Sequence, residues 1–162
     1  VENKIYDLRK ILEEVDTLLN KTLKQDGDRT DGVQDGMDIS LLKVNKATKE
    51  IIISSAKRPV ILIREKVMQE YKGSKFSLGG MRTGEKVFQE DKITFQKNDM
   101  LYFYTDGYTD QFGGEKGKKF SSKRLKAQLM SIHSLPISEQ KQNLNILMNF
   151  KIYKVINACI CR

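Results

Sequence analysis

The chain has 162 residues, 39% of them apolar and 8% aromatic, enough for one domain with a core of its own. No apolar run approaches the roughly 18 residues that a membrane-spanning helix needs, and residues 1–20 are studded with charges where a secretory signal would carry an apolar centre, so a soluble, cytoplasmic protein is expected. The net charge of +8 is uneven: residues 1–36 hold nine acidic and six basic side chains, which leaves +11 on residues 37–162.

In "IYDLRKILEEVDTLLNKTLK", Ile5, Leu8, Ile11, Leu12, Val15, Leu18, Leu19 and Leu23 recur at steps of three and four, which predicts a helix over about 3–25 with one apolar face. The following "QDGDRTDGVQDG" packs three Asp-Gly pairs into twelve residues and reads as an exposed loop. It also invites a calcium-loop reading from Asp26. That reading fails, because the sixth position, which requires Gly, is Asp31 and the twelfth, which requires Glu, is Met37.

From Met37 the composition turns β-branched and aliphatic. "MDISLLKVN" and "EIIISSA" read as paired antiparallel strands, and "PVILIRE", "KVMQEYK", "EKVFQEDKITFQ" and "MLYFYTD" continue the series, about five or six strands in one antiparallel sheet system over 37–105. Two glycine-rich stretches, one here and one at 113–119, resemble phosphate-cradling loops. "GGMRTGEK" has Glu85 where Lys is needed and "GGEKGKK" is one residue short between its glycines, so both read as turns.

Helical spacing returns in "SKRLKAQLMSIHSL", with Leu125, Leu129 and Ile132 on one face, until Pro136 breaks it and Ser138-Glu139 opens another helix through about Asn149. Helix, strands, helices in that order predict an α+β layered domain in which helices cover a mainly antiparallel sheet. The sole histidine, His133, falls near a helix end without a second His or Cys nearby to share a metal. Lys116, Lys118, Lys119, Lys123, Arg124 and Lys126 form a basic cluster, either a solvated face or a phosphate attractant, and the scarcity of interleaved aromatics argues against nucleic acid. Cys159 and Cys161, one residue apart, would pair only with strain and imply no disulfide framework.

The stretch "NDMLYFYTDGYTDQFGG" carries the chemistry. Both faces of its strand are apolar or aromatic, Leu101, Phe103 and Thr105 on one and Tyr102 and Tyr104 on the other, so the strand is expected to be central over 100–105 with Asp106 at its end. A carboxylate there suits a hard divalent cation such as Mg²⁺ or Mn²⁺, or it begins a simple Asp-Gly turn. The segment 110–119, rich in glycine and charge, is expected to be a mobile loop.

Four stretches in order, "DGMDISLLKV", "ISSAKRPVILIRE", "FSLGG" and "KNDMLYFYTDGYTDQFGGEKGKKFSSKRLKAQL", resemble the C-terminal part of a metal-dependent serine/threonine phosphatase of the PPM superfamily, in its bacterial SpoIIE branch, over about residues 5–147. The resemblance implies an antiparallel β-sandwich flanked by helices, hydrolysis of phosphoserine or phosphothreonine in proteins, and two Mn²⁺ or Mg²⁺ ions about 3.5–4 Å apart activating a water. It makes Asp106 a metal ligand, with Gly107 beside it. It also implies a phosphoprotein substrate such as a sigma-factor regulatory protein, and an upstream sensor domain in a longer parent.

The earlier metal-binding segments of the family, a Gly-Asp and an Asp-x-x-Gly-His-Gly, would precede Val1, and the closing Asp-Asp has no counterpart in "LMNFKIYKVINACICR", which holds no acidic residue. Residues 148–162 thus depart from the family, through a changed reading frame or a diverged end. The 162 residues are expected to be one partial phosphatase-like domain with an incomplete metal site. A non-catalytic binding or regulatory module on the same fold is the competing reading.

Overall fold

The computed structural model of the chain describes residues 7–23, 35–80, 86–113, 118–146 and 156–158. They form two compact units, one from residues 1–59 and 71–96, the other from 60–70 and 97–162.

The first unit opens with helix α1 (Leu8–Thr22), started by Asp7, whose carboxylate accepts hydrogen bonds from the Arg9 and Lys10 amides. The Arg9 side chain, bonded to the same carboxylate at 2.8 Å, holds the Asp7 carboxyl well below its ordinary range. The buried stripe of α1 is Leu8, Leu12, Asp16 and Asn20, so the apolar face expected over 3–25 is only half right. Leu18 and Leu23 are exposed instead, while Asp16 accepts from the Gly79 amide and the Asn20 side-chain amide donates to the Asp16 carbonyl of the same helix.

Strands β1 (Gly36–Met37), β2 (Ile39–Asn45) and β3 (Glu50–Ala56) follow. β2 and β3 form the expected antiparallel hairpin, from Ile39 opposite Ala56 to Asn45 opposite Glu50. The Asn45 side-chain carbonyl fixes their turn by accepting from the Ala47 and Thr48 amides. Strand β7 (Glu90–Thr94) pairs with the other edge of β3, and β1 pairs with β6 (Leu78–Gly79). Leu12, Ala56, Leu78 and Phe88 form the core, with Val15, Leu19, Ile39 and Leu41 packed against it.

Gly73 (φ +69°) lies against Ser55, where a Cβ would stand 2.5 Å from the Ser55 Cβ and 2.8 Å from its carbonyl oxygen. That same approach lets the Ser74 amide bond the Ser55 carbonyl at 2.8 Å. Gly73→Ala adds a clash to a left-handed backbone and is expected to lower unfolding free energy by about 2 kcal/mol or more, read from urea midpoints.

The second unit is built on a sheet ordered β11-β8-β4-β5, from β4 (Val60–Arg64), β5 (Val67–Tyr71), β8 (Met100–Phe103) and β11 (Ile156–Ala158). The strands expected in one sheet system over 37–105 are therefore divided among several sheets, because β3 takes β2 and β7 as its neighbours and β8 takes β4. β8 is internal, as its two apolar faces predict. It stops at Phe103 rather than Thr105, since Tyr104 and Thr105 lead into a helical turn.

Helices α3 (Ser121–Ile132) and α4 (Ile137–Ile146) cover this sheet, divided at Pro136 as expected. Leu125, Leu129, Ile132 and Leu144 pack with Ile61, Ile63, Met100 and Tyr102. Gln140, fully buried, knits the layers: its Oε1 accepts from the Tyr102 hydroxyl at 2.9 Å, and its amide donates to the His133 and Leu135 carbonyls. Arg64 makes a two-point contact with buried Asp99, at 2.8 and 2.7 Å. Antiparallel sheets flanked by helices place the chain in the α+β class that its sequence predicts. The end of the expected helix through Asn149, and Cys159 and Cys161, lie outside the described residues.

The two-residue turn between β4 and β5 is Glu65-Lys66, with φ +48° and +65°. Both sit in the left-handed region that Asn-Gly adopts at far lower cost. Glu65→Asn with Lys66→Gly is expected to stabilise the chain by about 1–2 kcal/mol, visible as a higher midpoint in thermal unfolding.

Candidate functional site

Two residues beyond β8, Asp106 begins a single helical turn, α2 (Asp106–Thr109), with Thr105 in extended conformation ahead of it. Asp106 thus does not directly follow the strand, expected over 100–105, but is the first residue of a turn closed by the Asp110 amide on the Asp106 carbonyl, at 2.7 Å. One Asp106 carboxylate oxygen, Oδ1, accepts from the Gly107 amide at 2.8 Å, and the residue is exposed. The turn reading of this aspartate is thus what the backbone shows.

The side chains after it anchor the turn. Tyr108 and Thr109 are buried, and the Tyr108 hydroxyl lies 3.3 Å from the Leu144 carbonyl, to which it donates. Burial pushes the Tyr108 phenol up to about 12. Its ring meets Phe120 edge-on, with centroids 5.7 Å apart. The Thr109 hydroxyl bonds back to the Asp106 carbonyl. Asp106 therefore stands on a base packed into the core, which is what a positioned ligand requires.

Gly107 is not in the left-handed region, and a Cβ there would meet only the Thr105 hydroxyl oxygen, at 3.5 Å. Its fold does not require glycine.

Part of the surrounding charge is paired. Asp110, the next carboxylate, pairs with Lys119 at 2.9 Å. Among the described residues no three His, Cys, Asp or Glu side chains converge as a metal site would need. His133 caps the end of α3, with Nδ1 2.8 Å from the Met130 carbonyl oxygen. Of the basic cluster, Lys126 pairs with Glu70 at 2.8 Å, Arg124 lies over the Phe120 ring, and Lys116 is outside the described residues.

Within the segment expected as a mobile loop over 110–119, β9 (Phe112–Gly113) and β10 (Lys118–Lys119) pair in antiparallel register. Most of the calcium-like stretch from Asp26, and residues 81–85 of "GGMRTGEK", lie outside the described residues. The ends of the latter have structural roles: Gly79 pairs with Gly36, and Lys86 is buried against Asp16 at 2.8 Å. The sequence reading passed over that ion pair. Its signal was the four-residue spacing that puts Asp16 and Asn20 in line with Leu8 and Leu12.

The family described as Stage II sporulation protein E (SpoIIE) matches residues 3–146. The fold is similar to the SiaA-PP2C domain of Pseudomonas aeruginosa, at 24% identity and a TM-score of 0.72 over 86% of this chain and 52% of that one. It is also similar to the phosphatase domain of the cell fate determinant SpoIIE from Bacillus subtilis, Mn presoaked, at 13% identity and a TM-score of 0.55, over 100% of this chain and 75% of that one. This chain thus spans about half the length of the SiaA domain it resembles. A comparison with curated protein sequences gave no match.

Proposed function

This chain belongs to the SpoIIE family, and on that premise we propose that it is the C-terminal part of a phosphatase domain acting on phosphoserine or phosphothreonine in a bacterial signalling protein, such as a sigma-factor regulator. Its 162 residues are read as one partial domain, working in the cytoplasm and governed by an upstream sensor. The observation that carries this reading is Asp106, exposed at the start of a turn anchored by Tyr108 and Thr109 within a family-matched chain.

In this reading Asp106, with Gly107 beside it, is a ligand position for Mn²⁺ or Mg²⁺, the ions whose chemistry in this family is to activate the attacking water. The described residues do not fit that ion pair unaided. One carboxylate stands where several are needed, and Asp110 is engaged by Lys119. What the chain itself supplies is the rigid support: Tyr108 and Thr109 hold α2 in the core, so that Asp106 is aimed before any ligand arrives.

The test joins this chain to the coding sequence upstream of it and measures phosphate release from a phosphoserine peptide with and without Mn²⁺. Manganese-dependent release supports the phosphatase reading, and none over a range of phosphopeptides counts against it. The second reading, a non-catalytic module that holds a phosphorylated partner, rests on the solitary carboxylate. It predicts partner binding indifferent to EDTA.

A further inference from the structure

Strand β2 lies at the edge of its sheet, with β3 as its neighbour on one side and no strand on the other among the described residues. Which of its backbone groups face outward follows from the bonds around β3. Ala56 stands between Ile39 on one edge and Ser74 on the other, and the Ser74 amide bonds the Ser55 carbonyl at 2.8 Å. Ser55 thus turns its backbone groups away from β2. Successive residues of a strand alternate in this, and the Phe95 amide on the Lys49 carbonyl, at 2.8 Å, keeps the same phase at the other end of β3. Glu50, Ile52, Ser54 and Ala56 therefore bond Asn45, Lys43, Leu41 and Ile39, their partners in the unbroken register. Ser40, Leu42 and Val44 are left with amides and carbonyls on the open side, and none of these groups is bonded among the described residues.

Such a row is a template for another strand, and proteins blunt it with charge, proline or a bulge. The opposite edge of the sheet, β7, carries Glu90, Asp91 and Lys92 in its five residues. In β2, Lys43 is the sole charge among seven residues, Ile-Ser-Leu-Leu-Lys-Val-Asn, and there is neither proline nor bulge. Val44 is 39% exposed on it.

What fits this edge is a copy of itself. Two β2 strands laid antiparallel about a two-fold axis at Leu42 put Leu42 opposite Leu42 and Ser40 opposite Val44, so the outward residues meet and each pair exchanges two hydrogen bonds. Lys43 then faces Leu41, and Asn45 faces Ile39. No charge meets its like, whereas an axis one residue further on would set Lys43 against Lys43.

We propose that the 162-residue chain pairs with a second copy through β2, in one sheet continuous across a two-fold axis at Leu42. The contact goes beyond the phosphatase reading and does not depend on it.

The test is sedimentation velocity of the 162-residue chain over a range of concentrations. A ladder this short is a small interface, so a reversible dimer with a Kd on the order of 10–100 µM is expected. Val44→Pro removes an outward N–H and spares every bond to β3, and it is expected to weaken the dimer at least about tenfold. Its thermal midpoint in dilute solution should match the wild type, which excludes lost folding. Ser40→Glu with Val44→Glu sets glutamates opposite one another and should weaken the dimer to a similar degree, whereas Ser40→Lys with Val44→Glu sets opposite charges there and should associate as tightly as the wild type. Both double variants lose the bond from the Ser40 hydroxyl to the Arg58 carbonyl, so the difference between them reads the register alone. A monomer at every concentration would overturn the proposal, as would a dimer indifferent to Val44→Pro or equal association of the two double variants. Slow hydrogen exchange of the Ser40, Leu42 and Val44 amides in a monomer of the chain extended upstream would overturn it too, because the preceding segment would then hold the edge.

Discussion

In a domain completed with its upstream segments, Asp106→Asn is expected to cut manganese-dependent phosphate release by at least about a hundredfold while the thermal midpoint stays put. The amide has the shape of the carboxylate but no charge. Its oxygen still accepts from the Gly107 amide, so α2 has no reason to move. Tyr108, Thr109 and the Asp110 amide hold the turn without help from the Asp106 side chain.

In the present chain the same change should be nearly silent towards Mn²⁺, because a lone carboxylate holds a divalent ion poorly against water. Calorimetric Mn²⁺ titration of the wild-type chain and its Asp106→Asn variant decides the matter. Micromolar binding by this chain, lost in its Asp106→Asn variant, would place further ligands within the 162 residues and end the partial-domain reading.

Asp16→Ala is expected to be the most destabilising of the substitutions considered, at about 3–5 kcal/mol in urea unfolding. Asp16 and Lys86 are almost completely buried, with side chains 5% and 7% exposed, and meet at 2.8 Å. The same carboxylate oxygen, Oδ1, accepts from the Gly79 amide at 2.7 Å, and the Lys86 ammonium also donates to the Ser77 and Gly79 carbonyls. Removing Asp16 strands a buried ammonium and orphans an amide in one step. Since domains of this size are stable by about 5–15 kcal/mol, the loss is a large share of the total. Replacing Lys86 by Met in the Asp16→Ala background should recover part of it, because the uncompensated charge is then gone. No recovery would mean that the Gly79 amide, not the ammonium, dominates.

The contrast between these two aspartates shows what the sequence makes legible. Asp106 stands out because an apolar strand runs into it, and that periodicity is written in consecutive residues. Leu125, Leu129 and Ile132 are legible for the same reason and are buried as expected. Asp16 looks like one more charge on a charged helix. Its partner, Lys86, lies 70 residues away, and no local rule links them. β8 ends two residues earlier than its sequence suggests, because Tyr104 and Thr105 favour extended backbone while the Asp106 carbonyl is already committed to the turn. The pairing of β9 with β10 is not legible in the sequence, because glycine and lysine carry no alternation to read.

The order in which the two units claim the chain bears on how it is made. Residues 60–70 belong to the second unit, yet residues 71–96 return to the first before 97–162 complete the second. The Val-Ile-Leu-Ile run of β4, buried in the finished protein, therefore leaves the ribosome some thirty-five residues before β8, the strand that will cover its free edge. At about 5–20 residues per second it waits roughly two to seven seconds as an apolar ribbon open to aggregation. Arg58, Pro59 and Arg64 bracket that run and act as gatekeepers during the wait. Slower translation through residues 71–99 should accordingly lower the soluble yield even though the native state is unchanged.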